Sequence, residues 1–194
     1  MAKGKVRKTS VDENEMFELI EQHFHGIKNI DLIILKGHLL VEYAMSRYID
    51  VISNHDTSID SLRFGFFQKL ELCKILGFID VTNQKDLEIY DQLKILNEIR
   101  NKIAHSLSFD RKMLDGLFKY HLDELEEYKR YKEANRDREI LKGIIPWLFG
   151  ALSRLMAQRE TKAAALKAIQ EINAEMKAAT HYIDHLWKTA VLDS

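Results

Sequence analysis

Apolar residues along this 194-residue chain recur at helical spacing, and the polar and glycine positions between them mark helix ends. Ser10-Val11-Asp12-Glu13 has the spacing of a capping box, so a first helix is predicted from there to about Phe24, broken by Gly26 to Asn29. Asp31 opens a long second helix through about Ser53, with Leu32, Leu35, Leu39, Ile49 and Ile52 on one stripe. Asn54 to Thr57 reads as a loop. A third helix from Ser58 or Asp60 is predicted to bury Phe64, Phe67, Leu70 and Leu76 and to meet Gly77 as its cap. The fourth begins near Thr82 or Asn83, carries Ile89, Leu93, Leu96 and Ile103, and ends around His105 to Ser108. Asp110 opens a fifth, with Leu114, Leu117, His121, Leu125 and Tyr128 along its stripe.

One proline and 8 glycines leave few helix breakers, and the turn-punctuated rhythm of an all-β chain is missing, so the fold class is all-α. Short connections between the helices predict an up-and-down helical bundle. Glu124 to Glu139 is densely charged with both signs, as in a solvated helix face or connector. Beyond Pro146 a long helix is predicted over about Glu160 to Leu192, with Leu166, Ile169, Ile172, Met176, Ile183 and Leu186 near helical spacing. Its alanine-rich face suits close packing on its own bundle, or contact with a protein partner. The expected organisation is a basic tail over 1–10, a helical bundle over 11–135 and a C-terminal helical extension over 136–194.

A formal net charge of −1 supplies no global positive field, so any nucleic-acid site must be a local basic patch. The single cysteine, Cys73, lies among Leu72, Leu76 and Phe78 and reads as a small buried hydrophobe. The N-terminus carries Lys3, Lys5, Arg7 and Lys8 without an apolar segment after them, unlike a signal peptide. Gly143 to Ser153, the longest uncharged run, is too short for a bilayer core of about 30 Å. No membrane association and a cytoplasmic location are therefore expected. His23 and His25 point about 200° apart on a helix, and His181 with His185 lacks a clear third ligand, so no metal is expected. Phosphate loops, nucleophile elbows and dinucleotide fingerprints are missing, and no cofactor is expected.

Chemistry concentrates in Leu96 to His105. Arg100 falls in line with Leu93, Leu96 and Ile103, where the pattern calls for an apolar residue, and Glu42 interrupts the second helix's line of Leu35, Leu39 and Ile49 in the same way. Buried charges are each costly alone, so a contact between Glu42 and Arg100 is predicted. His105 lies about 140° round the helix from Arg100, whereas Asn101 and His105 are four apart and share a face. Convergence of all three on one phosphate needs Arg100 to reach round, the helix to loosen near Ala104, or a two-fold dimer. Arginine supplies a permanent planar cation and histidine a mobile proton near neutral pH.

Arg100-Asn101-Lys102-Ile103-Ala104-His105 resembles the R-φ-x3-H signature of the HEPN superfamily, where φ is commonly polar. Lys36 to Glu42 is similar to the preceding helix of bacterial HEPN proteins. Phe67 to Leu70, Leu76 to Ile79, Leu96 and Phe109-Asp110 resemble the mannitol-repressor-like branch. The likeness covers about residues 30 to 115. It implies a HEPN-like bundle, usually a homodimer, and in many members metal-independent endoribonuclease activity, with toxin or defence roles among its uses. Carried over, Arg100 and His105 are catalytic and Asn101 orients substrate or histidine, with Glu42 in support and Lys102 toward substrate. RNA brings its own nucleophile, the 2′-hydroxyl, and its cleavage leaves a 2′,3′-cyclic phosphate. The alternative is a non-catalytic regulatory or protein-interaction scaffold of the mannitol-repressor-like kind.

Overall fold

Ile33, Ile34, Val41, Ala44, Met45 and Tyr48 are all buried, and their spacing of three, four and seven places them on one side of the helix Ile30–Ser53, α2. This helix is the axis of the fold. In the computed structural model, which describes residues 13–53, 59–106, 109–122, 126–133 and 136–192, α1 is Glu13–Phe24 and a 3-10 turn spans Ile59–Leu62. They are followed by α3 (Phe66–Ile75), α4 (Gln84–Ser106), α5 (Met113–Leu122), α6 (Glu126–Glu133) and α7 (Asp137–Leu192). The protein is an all-α helical bundle, with no strand among the described residues. Helices α1, α3 and α4 pack on α2, and α5 packs on α4 and α6.

Two helix ends follow directly from local sequence. Gly77 adopts a positive φ of 71°, Phe78 N–H donates to Cys73 O at 2.8 Å, and Gly77 N–H to Lys74 O at 3.0 Å. These two bonds close the carbonyl end of α3 in a Schellman arrangement. At the start of α4, Asn83 Oδ1 accepts the backbone N–H groups of Lys85 and Asp86 at 3.0 and 3.3 Å. The capping box expected at Ser10 lies outside the described residues.

Three expectations need correction. Leu32, Leu39 and Ile52 are exposed, because α2 is covered by neighbours on the side of Ile33, Val41 and Met45, and of the expected stripe Leu35 and Ile49 reach the core. The third helix is two pieces: the 3-10 turn ends at Leu62, Arg63 takes a positive φ of 55°, and α3 starts afresh at Phe66. That break puts Phe66, Leu70 and Cys73 in the core and leaves Phe67 and Leu76 exposed.

The third correction is at the C-terminal side. Helix α7 starts at Asp137 and passes through Pro146, well before the start near Glu160 that was expected. Loss of one backbone bond at proline costs roughly 3 kcal/mol. Ile140, Leu141, Ile144, Ile145, Leu148, Phe149 and Leu152 are all fully buried, and each is worth roughly 1.5–3 kcal/mol, so core burial outweighs the breaker. The chain forms two compact units, Met1–Met156 and Ala157–Ser194. In the second unit Ile169, Ile172 and Met176 are exposed. Asp137–Lys162 is long and apolar enough to cross a membrane, but 56% of that window is buried.

Gly37 fixes the approach of α2 and α7. A Cβ there would lie 2.5 Å from Ile145 Cδ1 and 2.7 Å from its Cγ2, so the whole branched side chain would have to move. Gly37→Ala should therefore destabilise by about 1–3 kcal/mol through overpacking, seen as a Tm lowered by several degrees. Ile145→Val in the same chain should recover part of that loss. An unchanged Tm for Gly37→Ala would contradict this close approach.

Candidate functional site

Asn97, Arg100 and Asn101 follow one another on α4 at intervals of three and one, which places them along one edge of the helix, beside the buried positions Leu96, Ile99 and Ile103. That edge faces His38 and Glu42 on α2 and the first turn of α3. Together they line a solvent-open cavity of about 390 Å³, completed by Gly65, Phe66, Phe67 and Gln68. Gln68 Oε1 accepts the Gly65 N–H at 2.8 Å, which pins the start of α3 at the cavity wall.

The charge arrangement differs from the expected one. Glu42 Oε1 accepts from Lys69 Nζ at 2.9 Å, and the same ammonium donates to Asp60 Oδ1 at 2.9 Å. Asp60 is steadied by Ser46 Oγ at 2.9 Å. The predicted contact between Glu42 and Arg100 is therefore replaced: Glu42 is neutralised from α3, and Arg100 Nη1 donates to Asn101 Oδ1 at 3.0 Å. Geometry explains the choice, since Lys69 is a buried residue on the α3 face turned toward α2. Burial is the largest influence on Lys69 and pulls its pKa down, but hydrogen bonds and attraction to Asp60 and Glu42 together outweigh it and the net shift is upward. Hydrogen bonding from Lys69, more than the opposing effect of burial, holds Asp60 below the usual carboxylate range.

His38 is a cavity residue that sequence reasoning missed as a site. It is 3% exposed, stacked on Phe66 with ring centroids 4.1 Å apart. Its Nε2 sits 3.1 Å from Asn97 Oδ1, so in the tautomer this contact selects Nε2–H donates and Nδ1 is a bare lone pair. That Nδ1 is buried without a hydrogen-bond partner, 3.8 Å from Glu42 Oε2. Burial, opposed by the Asn97 hydrogen bond and by Glu42, sets the imidazole pKa below its ordinary 6.5. The only sequence signal for this group was spacing: His38 stands four before Glu42, and Asn97 three before Arg100.

Of the sequence-selected residues, the cavity brings together Arg100, Asn101 and Glu42. It does not include His105, which is exposed near the end of α4, or Lys102, which is exposed between them. Helix α4 stays α-helical through Ser106, so the loosening near Ala104 that would swing His105 toward Arg100 does not occur. Five residues of regular helix separate the two groups by about 7.5 Å along the axis and about 140° around it. Among the described residues no cluster of three or more His, Cys, Asp or Glu side chains is placed to hold a metal ion.

Two measurements check this geometry. Lys69→Met leaves Glu42 without its cation and should destabilise by about 1–3 kcal/mol; Arg100→Ala, which removes no ion pair, should cost clearly less. The reverse ranking in thermal melts would restore Arg100 as the partner of Glu42. His38 supplies a pH test. Because its folded pKa lies below the unfolded one, the unfolded chain takes up the proton first, and stability falls as pH drops through about 6.5, by at most about 1.4 kcal/mol per pH unit. His38→Gln should flatten the slope of Tm between pH 7.5 and 5.5; parallel slopes in the two proteins would contradict the buried neutral imidazole.

No protein-family model matches the chain, and neither a curated protein nor a solved structure is similar to it.

Proposed function

We propose that this chain is a metal-independent RNA endonuclease of HEPN type, acting as a homodimer in the cytoplasm, in a toxin or defence setting. The observation that carries the reading is that Arg100 and Asn101 line an open polar cavity while His105 stands exposed near the end of the same helix. Its chemistry needs no cofactor. The guanidinium of Arg100 takes up the charge that develops on a phosphodiester under attack. His105 moves the proton to or from the reacting oxygens, Asn101 orients the phosphate or the imidazole, and exposed Lys102 holds a neighbouring phosphate. The attacking group is the substrate's 2′-hydroxyl, and the bond to the leaving 5′ oxygen breaks as the cyclic phosphate forms.

A second copy resolves the divergence of Arg100 and His105 along one helix, because a two-fold axis near the end of α4 would bring the His105 of one protomer to the Arg100 of the other. The exposed apolar line of Leu32, Leu39 and Tyr43 on α2, with Leu39 62% exposed, supports such an interface. The competing reading is a non-catalytic regulatory scaffold. It is favoured by one observation, that among the described residues the cavity lined by Arg100 is not lined by His105.

Purified protein incubated with mixed RNA in EDTA decides between them. Wild type should cleave, and His105→Ala should lower the rate by about 10²- to 10⁴-fold, the usual range for a lost proton-transfer group, at an unchanged Tm. Cleavage that continues at the wild-type rate in His105→Ala removes this residue from the mechanism, and a wild type inert toward RNA favours the scaffold.

A further inference from the structure

A second cleft, of about 320 Å³, lies outside the Arg100 cavity, lined by Lys28, Ile30, Arg111, Arg136, Arg138 and Glu139. Its cations converge from three separate places: Lys28 from the connection between α1 and α2, Arg111 from the connection between α4 and α5, and Arg136 and Arg138 from the start of α7. Glu139 is the single carboxylate among these lining residues. It accepts from Arg138 Nε at 3.0 Å and lies 3.7 Å from Arg136 Nη2. The side chains of Lys28 and Arg111 are both exposed and make no ion pair or hydrogen bond among the described residues. Four cations against one carboxylate leave this cleft at +3, within a chain whose formal net charge is −1. Such a concentration of like charge opposes itself unless an anion fills it.

The composition and place of the cleft select the anion. Three of the four cations are arginines, whose planar fork matches phosphate oxygens two at a time. Arg111 follows His105 by six residues, so the connecting chain spans at most about 22 Å. An RNA strand presented to His105 therefore has its neighbouring phosphates within reach of the cleft.

We propose that the cleft formed by Lys28, Arg111, Arg136 and Arg138 binds the phosphate backbone of single-stranded RNA on one side of the bond offered to His105. This rests on the ribonuclease reading for its ligand, but its test does not depend on cleavage. The probe is a fluorescent 2′-O-methyl oligoribonucleotide of about 20 nucleotides, long enough to cross the few-phosphate to 16-nucleotide range of single-strand sites, which lacks the hydroxyl needed for cleavage. Its binding is followed by anisotropy at several salt concentrations. Lys28→Ala with Arg111→Ala should weaken binding at least tenfold and lower the slope of log Kd against log salt by about 1.4, that is, 0.7 for each lost phosphate contact. Arg111→Gln alone should show about half that change in slope, which keeps the test decisive if the double variant melts early.

An unchanged affinity and slope would overturn the proposal, as would a wild type that fails to bind the probe. Equal binding of polyglutamate of matched charge would also overturn it, in favour of an acidic protein surface. Weakened binding in the variants together with a wild type that leaves unmodified RNA uncut would sink the nuclease reading and leave the cleft standing. Unaltered binding together with His105-dependent cleavage would sink the cleft alone.

Discussion

The ammonium of Lys69, held between Glu42 and Asp60, decides what the rest of the site can do. It joins α3 to α2 and to the 3-10 turn, and it satisfies the one carboxylate that faces the Arg100 cavity. Were Glu42 free, it would take the guanidinium for itself, since an unpaired carboxylate beside an arginine is too costly to leave. With Glu42 engaged, Arg100 donates to Asn101 and lines the cavity with no carboxylate partner among the described residues. A structural ion pair on one side thus leaves a cation lining the cavity on the other. His38 sits at the junction of the two, anchored to Asn97 and kept neutral by burial.

Much of the scaffold was legible because short-range chemistry specified it. Gly77 ends α3 as its type predicts, Asn83 starts α4, and Leu114, Leu117 and His121 are buried along α5. What could not be read was set by partners distant in sequence. The outward-facing Leu39 and the buried Val41 are equally apolar, and only the packing of α3, α4 and α7 around α2 distinguishes their faces. Pro146 signals a break, yet the helix continues because its flanking isoleucines and leucines lie in the core. The close approach of Gly37 to Ile145 is likewise a meeting of two helices more than 100 residues apart.

The candidate site was half legible. Polar residues interrupting apolar stripes drew attention to Glu42 and Arg100 as a buried pair, and both instead stand half-buried at one cavity. Their pairing was not legible. Lys69 lies in the mixed run Phe66-Phe67-Gln68-Lys69-Leu70-Glu71 and is of a residue type usually solvated, so nothing local marked it as the buried partner. His38 was similarly hidden, since a lone histidine on a helix gains meaning only from Asn97 and Phe66 opposite it. His105 shares α4 with Arg100 but points about 140° away from it, and the proposed chemistry brings the two together through a second protomer.

The central claim is that Arg100, released from Glu42 by Lys69, serves a reaction in which RNA supplies its own nucleophile. End-group analysis of RNA incubated with the protein in EDTA tests it most directly. The account predicts fragments with 2′,3′-cyclic phosphate and 5′-hydroxyl ends, lost with Arg100→Ala while that variant still melts as a folded protein. Fragments ending in 3′-hydroxyl and 5′-phosphate, or cyclic-phosphate products formed equally well without Arg100, would contradict it.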